Sequence, residues 1–480
     1  MKIRQFFFTV VLASVCGSLS AARVTAPQPD TEVVLISSLA ELADYAARDH
    51  VAVKLAPGAY ELNDTSTSRM LDLDGYRKGK STGKYPAVTI LYFSGSNSSY
   101  DLTGAVINLD GQLHRAFGGR KLFEVFVSGN SNLIKGLTLH DVGNEVPVAS
   151  AIMMVVAGDS NVISQADLFV QGSSPYGYGH LLGKGKGAAV ALHKHSSLLV
   201  TGRNTQLLGC KVVTRAFGHG IVMQGAVDTL VKDCYVEGEM RTTDEMLKET
   251  SGLAYDTGFE SAYPPGKIVP GEMKALSEDG IRTYPDGPMS DRRTGPVTVI
   301  NCTVKNMRSG VCLGFEQGPS KVIDTTVIGC QERGYSLSSG GVIENCHGDT
   351  MYAPLLTFLK ARSIDCVIDL ELMDAVSEYP VPRLLEINGK GHKITLRNYQ
   401  GKKRLKEGPI VFGESMWGDI HLFRAPADNP RDYSGAYNIT LVNQTRLPII
   451  FGKLSENCDV ITNGKILKDD GQNNHVSIEK

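Results

Sequence analysis

Val231-Lys232-Asp233-Cys234-Tyr235-Val236 and Val299-Ile300-Asn301-Cys302-Thr303-Val304 are one pattern written twice: an apolar entry, a small or polar turn residue, then an alternating pair. Leu133-Ile134-Lys135-Gly136-Leu137-Thr138-Leu139 and Val322-Ile323-Asp324-Thr325-Thr326-Val327 follow it as well. The equivalent positions are Leu137, Ala166, Cys210, Cys234, Cys302, Thr325 and Cys346, and most successive intervals between them, by subtraction, are 21 to 29 residues. A unit of this length, made of short alternating strands with no helix-period segment, is one coil of a β-helix. The two longer intervals, 44 residues from Ala166 to Cys210 and 68 from Cys234 to Cys302, read as extra coils plus an insertion.

Stacked coils pair in parallel and place equivalent side chains about 4.8 Å apart. The inward column is then leucine, valine, isoleucine and cysteine. A leucine-rich repeat would need a regular leucine-and-asparagine consensus, which the chain lacks. The expected fold is therefore all-β, a right-handed parallel β-helix.

Three stretches leave the rhythm. Residues 36–60 read as an amphipathic helix and a first strand, suited to capping the open end of the stack. Residues 242–296, with Pro264-Pro265-Gly266, Pro270-Gly271 and Pro285-Asp286-Gly287, read as a long excursion able to wall a site. From about 380 to 480 the repeat weakens into irregular coils and a cap, so residues 23–480 are taken as a single domain.

Lys2 and Arg4, the apolar run Phe6–Val15 and the small residues Ser18–Ala22 have the order of a secretory signal peptide, with cleavage expected after Ala22. The apolar run is too short to span a bilayer, and no later stretch is long enough, so the expected mature protein is soluble and periplasmic or secreted. A lipoprotein anchor at Cys16 fits poorly, because Val15 stands where a small residue is usual. Nine cysteines in an exported chain first suggest disulfides, yet Cys210, Cys234, Cys302 and Cys346 recur at one repeat position. They read as inward, unpaired thiols, and no Cys/His spacing marks zinc. A formal net charge of −2 leaves no basic footprint for nucleic acid.

The coil pattern behind an N-terminal helix resembles the pectate-lyase-like superfamily of parallel β-helix proteins over roughly residues 36–370. Thr214-Arg215-Ala216-Phe217-Gly218-His219-Gly220-Ile221 and Tyr235-Val236-Glu237-Gly238-Glu239-Met240-Arg241 look like strings in β-helix proteins of polysaccharide-degrading bacteria. The resemblance implies a polysaccharide lyase or glycoside hydrolase. It speaks to fold more than to reaction.

Strand parity and register group the polar residues. In Val190–His195, His193 and His195 share one face. The cysteine register stacks Arg215 near Glu239 and Phe217 near Arg241, and aligning Gly220, Gly310 and Gly334 stacks His219, Ser309 and Arg333. The expected catalytic set is Lys194, His195, Arg215, His219, Glu239 and Arg241. The expected substrate-binding set is Tyr176, Tyr178, Lys184, His193, Arg282, Arg308 and Arg333. His195, Arg215, His219, Glu239 and Arg241 are expected in one groove, with the 176–180 tyrosines as a sugar platform. Each has a plainer structural reading: an exposed ion pair for Arg215–Glu239, outward polar residues for His193 and His195, a turn residue for His219.

β-Elimination on an acidic glycan needs a cation for the uronate carboxylate, a base near C5 and an acid for the departing oxygen. The histidines, arginines and lysines suit it, with a sugar or water as leaving group. The runner-up is a glycoside hydrolase using two of Glu237, Glu239, Glu278 and Asp279; the third reading is a non-catalytic glycan binder. No cofactor is required by the pattern. A Ca²⁺ ion would help neutralise a uronate, but no dense aspartate cluster marks its place, so a metal is left open, as is the oligomeric state.

Overall fold

The computed structural model describes residues 32–77, 80–143, 147–183, 189–287, 289–358, 363–374, 379, 381–399, 408–414 and 435–478. The expected signal segment, Cys16 and Lys184 lie outside these residues.

The chain is a right-handed parallel β-helix. The repeat found in the sequence has a backbone cause. The residue before each repeat cysteine or its equivalent turns the chain through the left-handed region: Gln165, Gly209, Asp233, Asn301, Asp324 and Asn345 all have φ between 49° and 62°. Glycine, asparagine and aspartate tolerate that conformation best, which is why a small or polar residue recurs there. Beyond the turn, the strands Lys211–Arg215, Tyr235–Glu237, Thr303–Lys305 and Thr326–Ile328 stack in parallel, with Val212, Val236, Val304 and Val327 aligned inward. Cys210, Cys234, Cys302 and Cys346 are buried and unpaired.

The long intervals contain no extra coils. Val162–Ser164 pairs directly with Gln206–Leu208, and Thr229–Lys232 directly with Val297–Ile300. Each interval is a single coil enlarged by an excursion. The second excursion is also shorter than residues 242–296, because Asp279–Tyr284 returns to the stack as a coil strand between Ile221–Gln224 and Ser309–Leu313. Its loop part carries the short helices Thr243–Leu247 and Leu253–Asp256 and two small antiparallel pairings. Tyr178, Leu181 and Leu182 from the first excursion share a satellite core with Met246, Ala254, Ile268 and Leu276 from the second. The two excursions therefore stand against each other as one wall.

One apolar core runs from Ile36 to Val460. A helix over Leu39–Ala46, started by the Ser38 side chain accepting the Glu41 N–H, buries Leu39, Leu42 and Ala46 in it. Past residue 380 the coils continue: Val367–Leu372, Lys393–Asn398, Thr440–Asn443, Asp459–Thr462 and His475–Ile478 stack strand on strand. Among the described residues no helix is long and apolar enough to cross a membrane.

The glycine column aligned in the sequence is real and has a fourth member. Gly220, Gly280, Gly310 and Gly334 lie in register on successive coils, and a Cβ on Gly280 would sit 2.2 Å from Val304 Cγ1. The coil is pinched there, so only glycine fits. The residues just before them, His219, Asp279, Ser309 and Arg333, form the neighbouring column.

Candidate active site

Along the outer face of the sheet that contains these glycines, two columns change chemistry partway. One reads Phe123, Ile152, Ser196, His219, Asp279, Ser309, Arg333; the other reads Phe126, Val155, Leu199, Val222, Arg282, Cys312, Ser336. The early members are an apolar cluster with Tyr284 and Met289 packed beside it. The later members carry charge, beside the excursion wall.

The charged part is one network. Arg308 donates to Glu278 at 3.3 Å and to both oxygens of Asp279 at 3.2 Å, with Glu332 at 3.6 Å. Arg282 pairs with Asp279 at 2.7 Å, Arg333 with Glu332 at 3.3 Å, and Lys194 reaches both Glu278 oxygens at 2.7 Å. Among the described residues this network joins four cations to three carboxylates. Arg308, Arg333, Glu278 and Asp279 are buried, while the Lys194 side chain keeps 33% exposure and Arg282 12%. The network thus meets solvent through Lys194 and Arg282. Burial alone would raise the Asp279 carboxyl, but Arg282, Arg308 and His219 hold it well below the ordinary carboxylate range.

His219 closes the network. Its Nδ1 accepts the Asp279 N–H at 3.3 Å, which puts the ring hydrogen on Nε2. Nε2 lies 3.0 Å from the Tyr284 hydroxyl and 3.3 Å from Glu278. Burial lowers the His219 pKa to about 4 against the pull of Glu278 and Asp279, so the ring is neutral near pH 7. Nε2–H donates to the Tyr284 oxygen, leaving the phenolic hydrogen to be given elsewhere. Burial raises the Tyr284 pKa, so the phenol stays protonated. Tyr284 and Phe315, both half-buried, stack nearly parallel at 16° on successive coils, and Arg282 lies over both rings at 4.7 and 5.1 Å. Such a pair of faces flanked by a guanidinium suits a pyranose ring carrying a carboxylate. Lys121, half-buried, begins the strand Lys121–Val127, four pairings along the sheet from the strand that holds Tyr284. Burial, and after it the Lys194 charge, lowers its pKa to about 8.

The expected site residues fall into three places, and the five expected in one groove do not stay together. Lys194, His219, Arg282, Arg308 and Arg333 meet in the network above. Arg215, Glu239 and Arg241 lie at the excursion wall: Arg215 pairs with Glu239 at 2.5 Å, Tyr176 donates to Glu239 at 2.5 Å, and Arg241 pairs with Glu249 at 2.6 Å. The Arg215–Glu239 stacking is as expected, but Phe217 lies under Lys194 at 5.3 Å, whereas Arg241 lies over Tyr178. Tyr178 is buried in the satellite core and donates to Glu249, so it offers no sugar platform. His195 departs furthest. Parity turns Lys194 and Ser196 outward and His195 inward, fully buried, so it does not line a groove with Arg215 and shares no face with a solvent-facing His193. His193 is half-buried, bridged through its backbone to Ser174.

His195 instead joins His114, Glu124 and Asp141, all buried, with one ligand-capable atom from each within 4.8 Å of the others. Burial would raise both carboxyls; His195 and His114 hold Glu124 down to about 2, while the Glu124 charge pushes Asp141 further up. This is the group of described residues able to hold a metal ion.

Sequence reasoning missed Tyr284, Phe315 and the three partners of His195 in the interior quartet. A signal for Tyr284 existed: Asp279-Gly280 repeats the His219-Gly220 and Ser309-Gly310 step, and aligning it would have returned this strand to the stack.

Because Arg215 and Glu239 keep 54% and 38% side-chain exposure, their pair is screened by solvent. Arg215→Ala is expected to cost at most about 1 kcal/mol, read as a urea midpoint close to that of the parent.

No protein-family model and no curated protein matches the chain. Among solved structures it is similar to a PL6 alginate lyase in complex with a trisaccharide, at TM-score 0.42 and 10% identity over 93% of this chain and 85% of that one. It is also similar to the catalytic domain of a GH87 α-1,3-glucanase in complex with nigerose, at 0.35 and 11% over 94% and 68%. A third is PfbA, a surface adhesin of Streptococcus pneumoniae, at 0.36 and 10% over 92% and 88%.

Proposed function

We propose that the protein is an exported, carbohydrate-active lyase that cleaves a uronate-containing glycan by β-elimination. The observation that carries this reading is the solvent edge of the charged network: the partly exposed cations Lys194 and Arg282 beside a protonated phenol held by a neutral imidazole. Lys194 and Arg282 receive the uronate carboxylate, which stabilises the negative charge that builds up as the C5 proton leaves. The C5 proton passes to a basic group at the same edge. The C4–O bond breaks as the C4=C5 double bond forms, and the departing oxygen takes the Tyr284 proton, with His219 positioning the phenol. Hydrolysis is less well served, because it needs a carboxyl kept protonated as general acid and Asp279 is shifted the opposite way.

The test is an unsaturated uronate, read by its near-ultraviolet absorbance when acidic polysaccharides and their oligomers are offered. New reducing ends without the absorbance would instead mark a hydrolase, and binding without turnover a glycan-binding protein.

A further inference from the structure

Inside the coils, on the opposite face of the chain from Lys194, four ionisable side chains meet in an otherwise apolar core. His114 comes from the short turn Leu113–Ala116, Glu124 from Lys121–Val127, Asp141 from Thr138–Val142 and His195 from His195–Val200. All four are buried. His114 Nε2 and His195 Nε2 each lie 2.9 Å from the same Glu124 oxygen, and the two rings meet edge to face at 5.2 Å.

Two features go beyond a buried ion pair. His195 Nδ1 is held by the carbonyls of Gln171 and Gly172 at 2.9 and 3.1 Å, which turns Nε2 toward Glu124. A carbonyl on the far ring nitrogen is what orients a metal-ligating histidine. Glu124 Oε2 and Asp141 Oδ1 have no hydrogen-bond partner among the described residues, and buried polar atoms are seldom left so. An ion entering here displaces protons, and the deprotonated set of two carboxylates and two imidazoles has two negative charges for one divalent ion to cancel.

We propose that His114, Glu124, Asp141 and His195 form a closed structural site for one divalent transition ion of the Zn²⁺ class. Two nitrogen and two oxygen donors suit that class better than Ca²⁺ or Mg²⁺, which take oxygen shells. Tetrahedral bonds of about 2.0–2.2 Å place neighbouring ligands about 3.3–3.6 Å apart. The 2.9 Å contacts and the 4.8 Å limit bracket that spacing, so closing on an ion needs only small side-chain shifts. The ion would tie a turn and three coil strands, from His114 to His195, through the core.

The full mature chain is unfolded with a chelator and refolded with Zn²⁺, with Co²⁺, or with chelator alone. The expected result is about one ion retained per chain after desalting, visible bands of tetrahedral Co²⁺, and a higher Tm than the chelated protein. Asp141→Asn, which keeps the shape, should lower retention at least about 10-fold. If the parent retains no ion, shows featureless Co²⁺ and melts at one temperature in all three conditions, the site is refuted and the quartet is a shared-proton network. Should Asp141→Asn not fold, the parent's Co²⁺ spectrum and retention decide alone.

Discussion

Tyr284→Phe is expected to leave the coil stack folded and to lower turnover on an acidic glycan by about 10²–10⁴-fold, the range for loss of a general acid. The variant keeps the ring that stacks on Phe315 and sits under Arg282, so packing is conserved. What it loses is the hydroxyl 3.0 Å from His219, and with it the only proton this pair can pass to a departing oxygen. The loss should fall on kcat, with KM little changed, because the hydroxyl acts on the leaving group more than on binding. The His219 ring stays neutral down to about pH 4, so the parent's acid limb should show no inflection near the ordinary histidine value. A Tyr284→Phe enzyme with parental turnover would remove the phenol from the mechanism, whatever the product.

Arg308→Met is expected to produce the largest loss of stability of any single change at the network, about 3–5 kcal/mol, because it removes one partner of a buried ionic group and leaves buried oxygens of Glu278 and Asp279 without that donor. Arg308 touches Glu278, Asp279 and Glu332, two of which are buried with it. Methionine fills similar volume, so the deficit is electrostatic rather than a cavity. The readout is the urea midpoint of the variant beside that of the parent. If Arg308→Met unfolds at the parental midpoint, the network is solvated rather than buried.

The fold was legible because its cause is local. A left-handed residue before each inward position must be glycine, asparagine, aspartate or a tolerant neighbour, so Gly209-Cys210, Asp233-Cys234 and Asn301-Cys302 show in the string itself. The Arg215–Glu239 contact was legible for a related reason, since parallel register converts coil spacing directly into adjacency. The site was half legible. His219 and Arg333 follow from the glycines, but Asp279 and Tyr284 were enclosed in the proline-rich excursion and lost their place in the column. His195 failed on parity: the strand starts at His195, so the alternation counted from Val190 ran through a loop with no fixed facing. The interior quartet had no local signature, because each member comes from a different element and polar side chains were not expected to point inward.

The two enlarged coils also bear on how this chain can change over time. Closing a loop costs entropy that grows only with the logarithm of its length, so stretching a coil from about 23 to about 68 residues adds about 1 kcal/mol. That is little against a stack held in register on both sides of the break, with Thr229 on Val297 and Tyr235 on Thr303. The wall over the network is therefore nearly free to lengthen, shorten or be exchanged without moving His219, Asp279, Ser309 or Arg333. The excursions can drift while the ladder beneath them stays still.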